Sequence, residues 1–132
     1  MASRGEQQLH NLVKRLIFAT DTGRLEWQST DRPLAFQCTV GRNSILVATV
    51  DDDGQAPYIL EILDASGVLI ESLQSGYATI STPGGRQQIK REWNDELAEL
   101  HEIARRQVLN LDKLINDLLS QLPEPPSNEP PF

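Results

Sequence analysis

Four short runs between residues 34 and 73 constrain this chain more than any other feature. Leu34 to Val40 alternates, with Leu34, Phe36, Cys38 and Val40 on one face and Ala35, Gln37 and Thr39 on the other. Ser44 to Val50 is apolar on both sides, which predicts a central strand. Tyr58 to Leu63 and Val68 to Leu73 follow. The connections are Gly41-Arg42-Asn43, a stretch opening with Asp51-Asp52-Asp53-Gly54, and Asp64-Ala65-Ser66-Gly67, all turn chemistry. A parallel crossover needs a dozen residues or more, so these strands can only be antiparallel neighbours. The middle of the chain is predicted to be a meander, with the Leu34, Phe36, Cys38 and Val40 face covered by helices.

The flanks read at a different period. Ser3-Arg4-Gly5-Glu6 fits a capping box that opens a helix over residues 4–20. Leu9, Leu12, Val13, Leu16 and Ile17 form its buried stripe, and Gly23 suits its end. Arg24 to Gln28 reads as a short strand or a connector. Tyr77, Thr79 and Ile80 suit a further strand, and Pro83-Gly84-Gly85 is predicted to break the chain as a hinge between sheet and helix. Ile89, Trp93, Leu97, Leu100, Ala104 and Val108 then predict a long helix running from Arg86 to Val108. A kink or break is expected near Leu109 to Leu111, followed by an apolar helix to Leu122. Residues 123–132 hold five of the eight prolines and read as a disordered or polyproline tail. The expected class is α+β: an antiparallel β-meander of four to five strands flanked by an N-terminal helix and one or two C-terminal helices. Residues 1–122 are expected to form one domain.

Charge and composition narrow the function. The net charge of −7 argues against a nucleic-acid partner bound through phosphate neutralisation. Its placement is uneven, at +2 over residues 1–50 and −9 over residues 51–132. A single cysteine, Cys38, excludes an internal disulfide framework and a polythiolate zinc site. No apolar run approaches the roughly 20 residues that span a bilayer, and the composition of Met1 to Glu6 leads to the expectation of no signal peptide. A cytoplasmic protein without membrane contact is expected.

Reactive groups are sparse. His10 and His101 are the only histidines. His101-Glu102-Ile103-Ala104-Arg105 begins like a zinc-protease helix but has Arg where the second histidine belongs. Cys38 reads as a buried structural thiol. Asp51 to Asp53 lack the first carboxylate and the closing Glu of a calcium loop. Thr82 to Arg86 resembles an anion cradle before a helix but lacks P-loop spacing. No metal, cofactor or catalytic residue is expected.

Helix order and certain segments carry a resemblance. Gly23-Arg24-Leu25-Glu26-Trp27, then Tyr58 to Gly67 with Ile70-Glu71-Ser72-Leu73, then Leu100 to Leu109 lie in the order helix, meander, helix. Over residues 9–122 this resembles a group of small, uncharacterised bacterial proteins of helix–antiparallel sheet–helix architecture. The resemblance implies the fold, a bacterial cytoplasm and no known activity, with some members beside multi-domain regulatory or defence proteins. It supplies no catalytic residues.

The expected function is a non-enzymatic interaction or regulatory module. The alternative is a small acidic chaperone for a secreted or partner protein, and third stands a small enzyme using Cys38 or a histidine. The expected interface is Leu111, Leu114, Ile115, Leu118, Leu119 and Leu122, six large aliphatics in twelve residues. Such a face needs cover, from a second copy of the chain or by folding back on the preceding helix.

Overall fold

The computed structural model describes residues 3–126. Its first helix, α1 (Arg4–Asp21), opens with the capping box: Glu6 N–H donates to Ser3 Oγ and Ser3 N–H to Glu6 Oε1, both at 3.1 Å. It closes in a Schellman turn. Gly23, at φ 74°, brings its own N–H to the Thr20 carbonyl and that of Arg24 to the Ala19 carbonyl.

Five strands follow in one antiparallel sheet, β1 (Gln28–Ser29), β2 (Phe36–Val40), β3 (Asn43–Thr49), β4 (Tyr58–Leu63) and β5 (Leu69–Gln74), in sheet order equal to chain order. The register lines up two core rows: Phe36, Val47, Leu60 and Leu73, then Cys38, Ile45 and Ile62. Val13 and Leu16 of α1 bury these rows, together with Trp93 and with Leu97, Leu100 and Ala104 of α2 (Asn94–Val108). The opposite face carries Gln37, Leu46, Glu61 and Ser72 in one row, polar enough to stay wet. The fold is α+β, as the alternating runs predict. Among the described residues no helix is long and apolar enough to cross a membrane.

The structure corrects the sequence reading in several places. Pro83-Gly84 is not a hinge. It is the two-residue tip of a hairpin between β6 (Tyr77–Thr82) and β7 (Gly85–Lys90), which form a separate two-stranded sheet instead of extending the first. Gly85 takes φ 116°, and Thr82 Oγ1 donates to its carbonyl at 2.6 Å. Helix α2 therefore starts eight residues later than Arg86, and Ile89 lies on β7. Val40 leaves the covered face, whereas Leu34 lies outside the strand yet packs, partly buried, against the core. Leu34 sits before β2 in the left-handed region at φ 55°, and Val40 pairs with Asn43 at the turn, 43% exposed. Ala35, expected on the open face, is buried in the bend that Leu34 creates.

Two further joints hold the ends in place. The chain from Arg24 to Trp27 is mostly connector, clamped to α2 by one side chain: Gln107 Nε2 donates to the Leu25 carbonyl (2.8 Å) and its Oε1 accepts from Trp27 N–H (2.6 Å). Gln107→Ala strands both backbone groups in a part-buried site and is expected to cost about 2 kcal/mol, measured by urea denaturation. The second joint is the expected break. Asn110 adopts a left-handed conformation (φ 52°, ψ 46°), ending α2 and setting off α3 (Leu111–Gln121). Leu122 itself is extended and residues 123–126 belong to no helix or strand, and residues 127–132 of the expected tail lie outside the described residues.

Candidate functional site

The three reactive side chains singled out in the sequence sit in three separate settings. His10 of α1 reaches across to α2, with Nε2 2.5 Å from Glu96 Oε1 and its ring edge-on to Trp93. His101 of α2 is buried; its Nε2 donates to the Leu34 carbonyl at 2.8 Å, and its ring packs against Phe36 and Tyr58. Both histidines tie one element to another across more than sixty residues of sequence. Cys38 lies in the second core row, 3% exposed. Among the described residues it has no hydrogen bond to either histidine.

Burial pushes the Cys38 thiol up from 9.0 to about 12. The folded chain keeps it protonated where the unfolded chain ionises. Its contribution to stability is complete below pH 9.0 and is lost as pH rises toward 12. A disulfide reagent at pH 8 is expected to label Cys38 only at the rate of unfolding, giving full labelling in denaturant and almost none without it. Immediate labelling of the folded protein overturns this assignment.

The acidic turn is internally used. Asp52 pairs with Arg32 (Nη2 to Oδ1, 2.9 Å), whose guanidinium also donates to the Thr49 carbonyl. Asp53 accepts from Gln55 N–H, as a turn residue does. Among the described residues no group of three His, Cys, Asp or Glu could hold a metal ion. The anion-cradle resemblance at Thr82 to Arg86 also falls away, because those residues form a hairpin tip. The helix that follows starts at Asn94 with Asp95 and Glu96 in its first turn, which repel an anion.

The apolar helix is different. Asn110 turns α3 away from the core, and Arg106 holds its first turn by an ion pair to Asp112 at 2.7 Å. No residue of α3 is buried. Leu114, Ile115, Leu118, Leu119 and Leu122 are 49, 43, 50, 62 and 63% exposed, and Leu111 is half-buried. At about 100° per residue, the six occupy an arc of roughly 140°. Asp112, Lys113, Asn116, Asp117, Ser120 and Gln121 share the other side. The fold-back onto α2 that would have hidden these leucines does not form.

Sequence reasoning missed the β6–β7 ribbon. Its signal was a Pro-Gly pair between two runs of six, which is hairpin spacing. A groove of about 440 Å³ separates the ribbon from β5, lined by Glu6, Ser72 to Tyr77, Arg91 and Trp93 among others. Compared with protein-family models, with curated proteins and with solved structures, the chain matches none of them.

Proposed function

We propose that this chain is a non-enzymatic interaction module, working in a bacterial cytoplasmic regulatory setting, whose α3 is covered by α3 of a second copy. One observation carries the reading: six aliphatic side chains share one face of a helix, five of them 43–63% exposed and none fully buried in its own chain. Their spacing favours a copy of itself as the occupant. Leu111, Leu114, Ile115, Leu118, Leu119 and Leu122 are symmetric about the middle of α3. In an antiparallel pair, Leu111 meets Leu122, Leu114 meets Leu119 and Ile115 meets Leu118, as a two-fold axis requires. The charged residues Asp112, Lys113 and Asp117 all stay off the seam.

The area is adequate but not generous. The exposed apolar face offers on the order of 500 Å² per copy, so a pair reaches the roughly 1,000 Å² at which specific interfaces begin. Each copy also carries −7, so added salt should strengthen association by screening repulsion. Light scattering over a dilution series tests the reading. Twice 14.8 kDa at tens of micromolar is the expected mass. A monomer throughout that range overturns self-association through α3.

A further inference from the structure

The β6–β7 ribbon carries a charge opposite to the rest of the chain. Residues 76–91 hold Arg86, Lys90 and Arg91 and no Asp or Glu; this +3 within a total of −7 leaves −10 elsewhere. The register places Tyr77, Thr79, Ser81, Arg86, Gln88 and Lys90 on one face, and all six are exposed. The other face holds Ala78 and Ile80, half-buried on the side of Glu6 and Trp93. One side of the ribbon is thus seated toward the body and the other is free.

Its backbone is also unpaired along the edge. Thr82 and Gly85 close a two-residue turn, which makes them a hydrogen-bonded pair. Arg91 N–H donates to the Gly76 carbonyl at 3.0 Å, in the same phase. The alternation of an antiparallel ladder then directs the N–H and C=O of Arg86, Gln88 and Lys90 outward from β7. All six β7 residues are exposed. Two such edges exist on the ribbon, but Tyr77, Thr79 and Ser81 on β6 bring no charge. The edge of the main sheet is better guarded: β5 has an irregular register near Leu63, and its Gln74 carbonyl is taken by Trp93 Nε1.

We infer that β7 is a second docking site, which takes an acidic, extended polypeptide segment as an added antiparallel strand. The outward amides of Arg86, Gln88 and Lys90 supply the main-chain bonds, and their side chains face carboxylates on alternate residues of the incoming strand. Among the described residues Arg86 has no ion-pair partner. Lys90 pairs with Asp95 in a solvent-exposed contact that a docked carboxylate can replace. A nucleic acid fits less well. Affinity for it rests on many neutralised phosphates, and the ribbon offers three cations beside a body of −10. It would leave the strand-edge amides unused.

The test uses the whole chain, isotope-labelled, with an eight-residue peptide alternating Glu and Val, its Gln/Val counterpart, and a dT oligonucleotide. The expected result is that Glu/Val peptide shifts the amide resonances of Arg86, Gln88 and Lys90 and slows their hydrogen exchange. Its affinity is at least tenfold above that of the Gln/Val peptide. Arg86→Glu with Lys90→Glu abolishes binding. Gln88→Pro removes one outward N–H without touching the ribbon's own ladder or its charge, and is expected to weaken binding at least tenfold. A melting curve matching wild type shows that each variant is folded; if Gln88→Pro unfolds the ribbon, Gln88→N-methyl-alanine made by ligation replaces it. Binding unaffected at Gln88 overturns strand addition. Tighter binding of the oligonucleotide at the same amides, or ribbon shifts that follow protein concentration without peptide, overturns the acidic-peptide assignment in favour of nucleic acid or of a second copy.

Discussion

Trp93→Ala is expected to remove roughly 3–5 kcal/mol of stability, the range for truncating a buried aromatic. Trp93 stands where four parts of the molecule meet. Its indole is buried in the core with Leu97 and Leu100, and its Nε1 donates to the Gln74 carbonyl at the end of β5 (2.8 Å). The Arg91 guanidinium lies 5.6 Å from the ring centre, and His10 of α1 meets it edge-on. Its carbonyl accepts from Leu97 N–H in the first turn of α2. Truncation opens a cavity that two helices and a sheet edge cannot all close. Against a total of about 5–15 kcal/mol for a domain, the loss lowers the melting temperature by about 10–20 °C. Trp93→Phe keeps most of the apolar volume and loses only the donor, so about 1–2 kcal/mol is expected. Urea melts of the three proteins decide it. An alanine variant within about 1 kcal/mol of wild type would show that the sheet edge and the helices are held together elsewhere.

Where a buried face and a wet face alternate, the fold was legible in the sequence. The stripe of α1, the capping box and the turns around Gly41 and Asp64 to Gly67 follow from period and turn chemistry alone, because each element has one side in the core. The β6–β7 ribbon was not legible for the opposite reason. Every residue of β7 is exposed, so Gly85 to Lys90 has no apolar alternation to find. Ile89 and Trp93 then happen to continue the four-residue spacing of Leu97 backward across the strand–helix junction, which placed the start of α2 too early. The alternation counts Leu34 into the strand, but its left-handed backbone sets it before β2, where it still packs against the core. The ties through His10, His101 and Gln107 join residues 67 to 86 positions apart, which no local pattern encodes. The α3 face is a mixed case. Its breadth can be counted from Leu111 to Leu122, but whether α2 covers it depends on the turn at Asn110.

That turn leads to the second large effect: Leu118→Glu with Leu122→Glu is expected to abolish self-association while leaving the fold intact. Both positions lie near the centre of the apolar arc, at half or more exposure in the single chain. A carboxylate there meets water in the monomer, so the change in monomer stability should stay within about 0.5 kcal/mol. In the antiparallel pair the same residues meet Ile115 and Leu111 of the other copy. Four carboxylates then enter one apolar seam, and four aliphatic contacts worth roughly 1.5–3 kcal/mol each on full burial are lost. The face is only partly buried even in the pair, so the loss is smaller than that sum, yet a weakening of at least about a thousandfold, near 4 kcal/mol, is expected. Ser120→Glu, on the polar side, serves as the control and should leave the mass unchanged. Light scattering and a urea melt on the same samples separate the outcomes. A folded monomer for the double variant beside a wild-type dimer is the expected pattern. A double variant that unfolds would mean that α3 is covered within its own chain, and a double variant that stays dimeric would move the seam to another surface, with the exposed β7 edge the next to test.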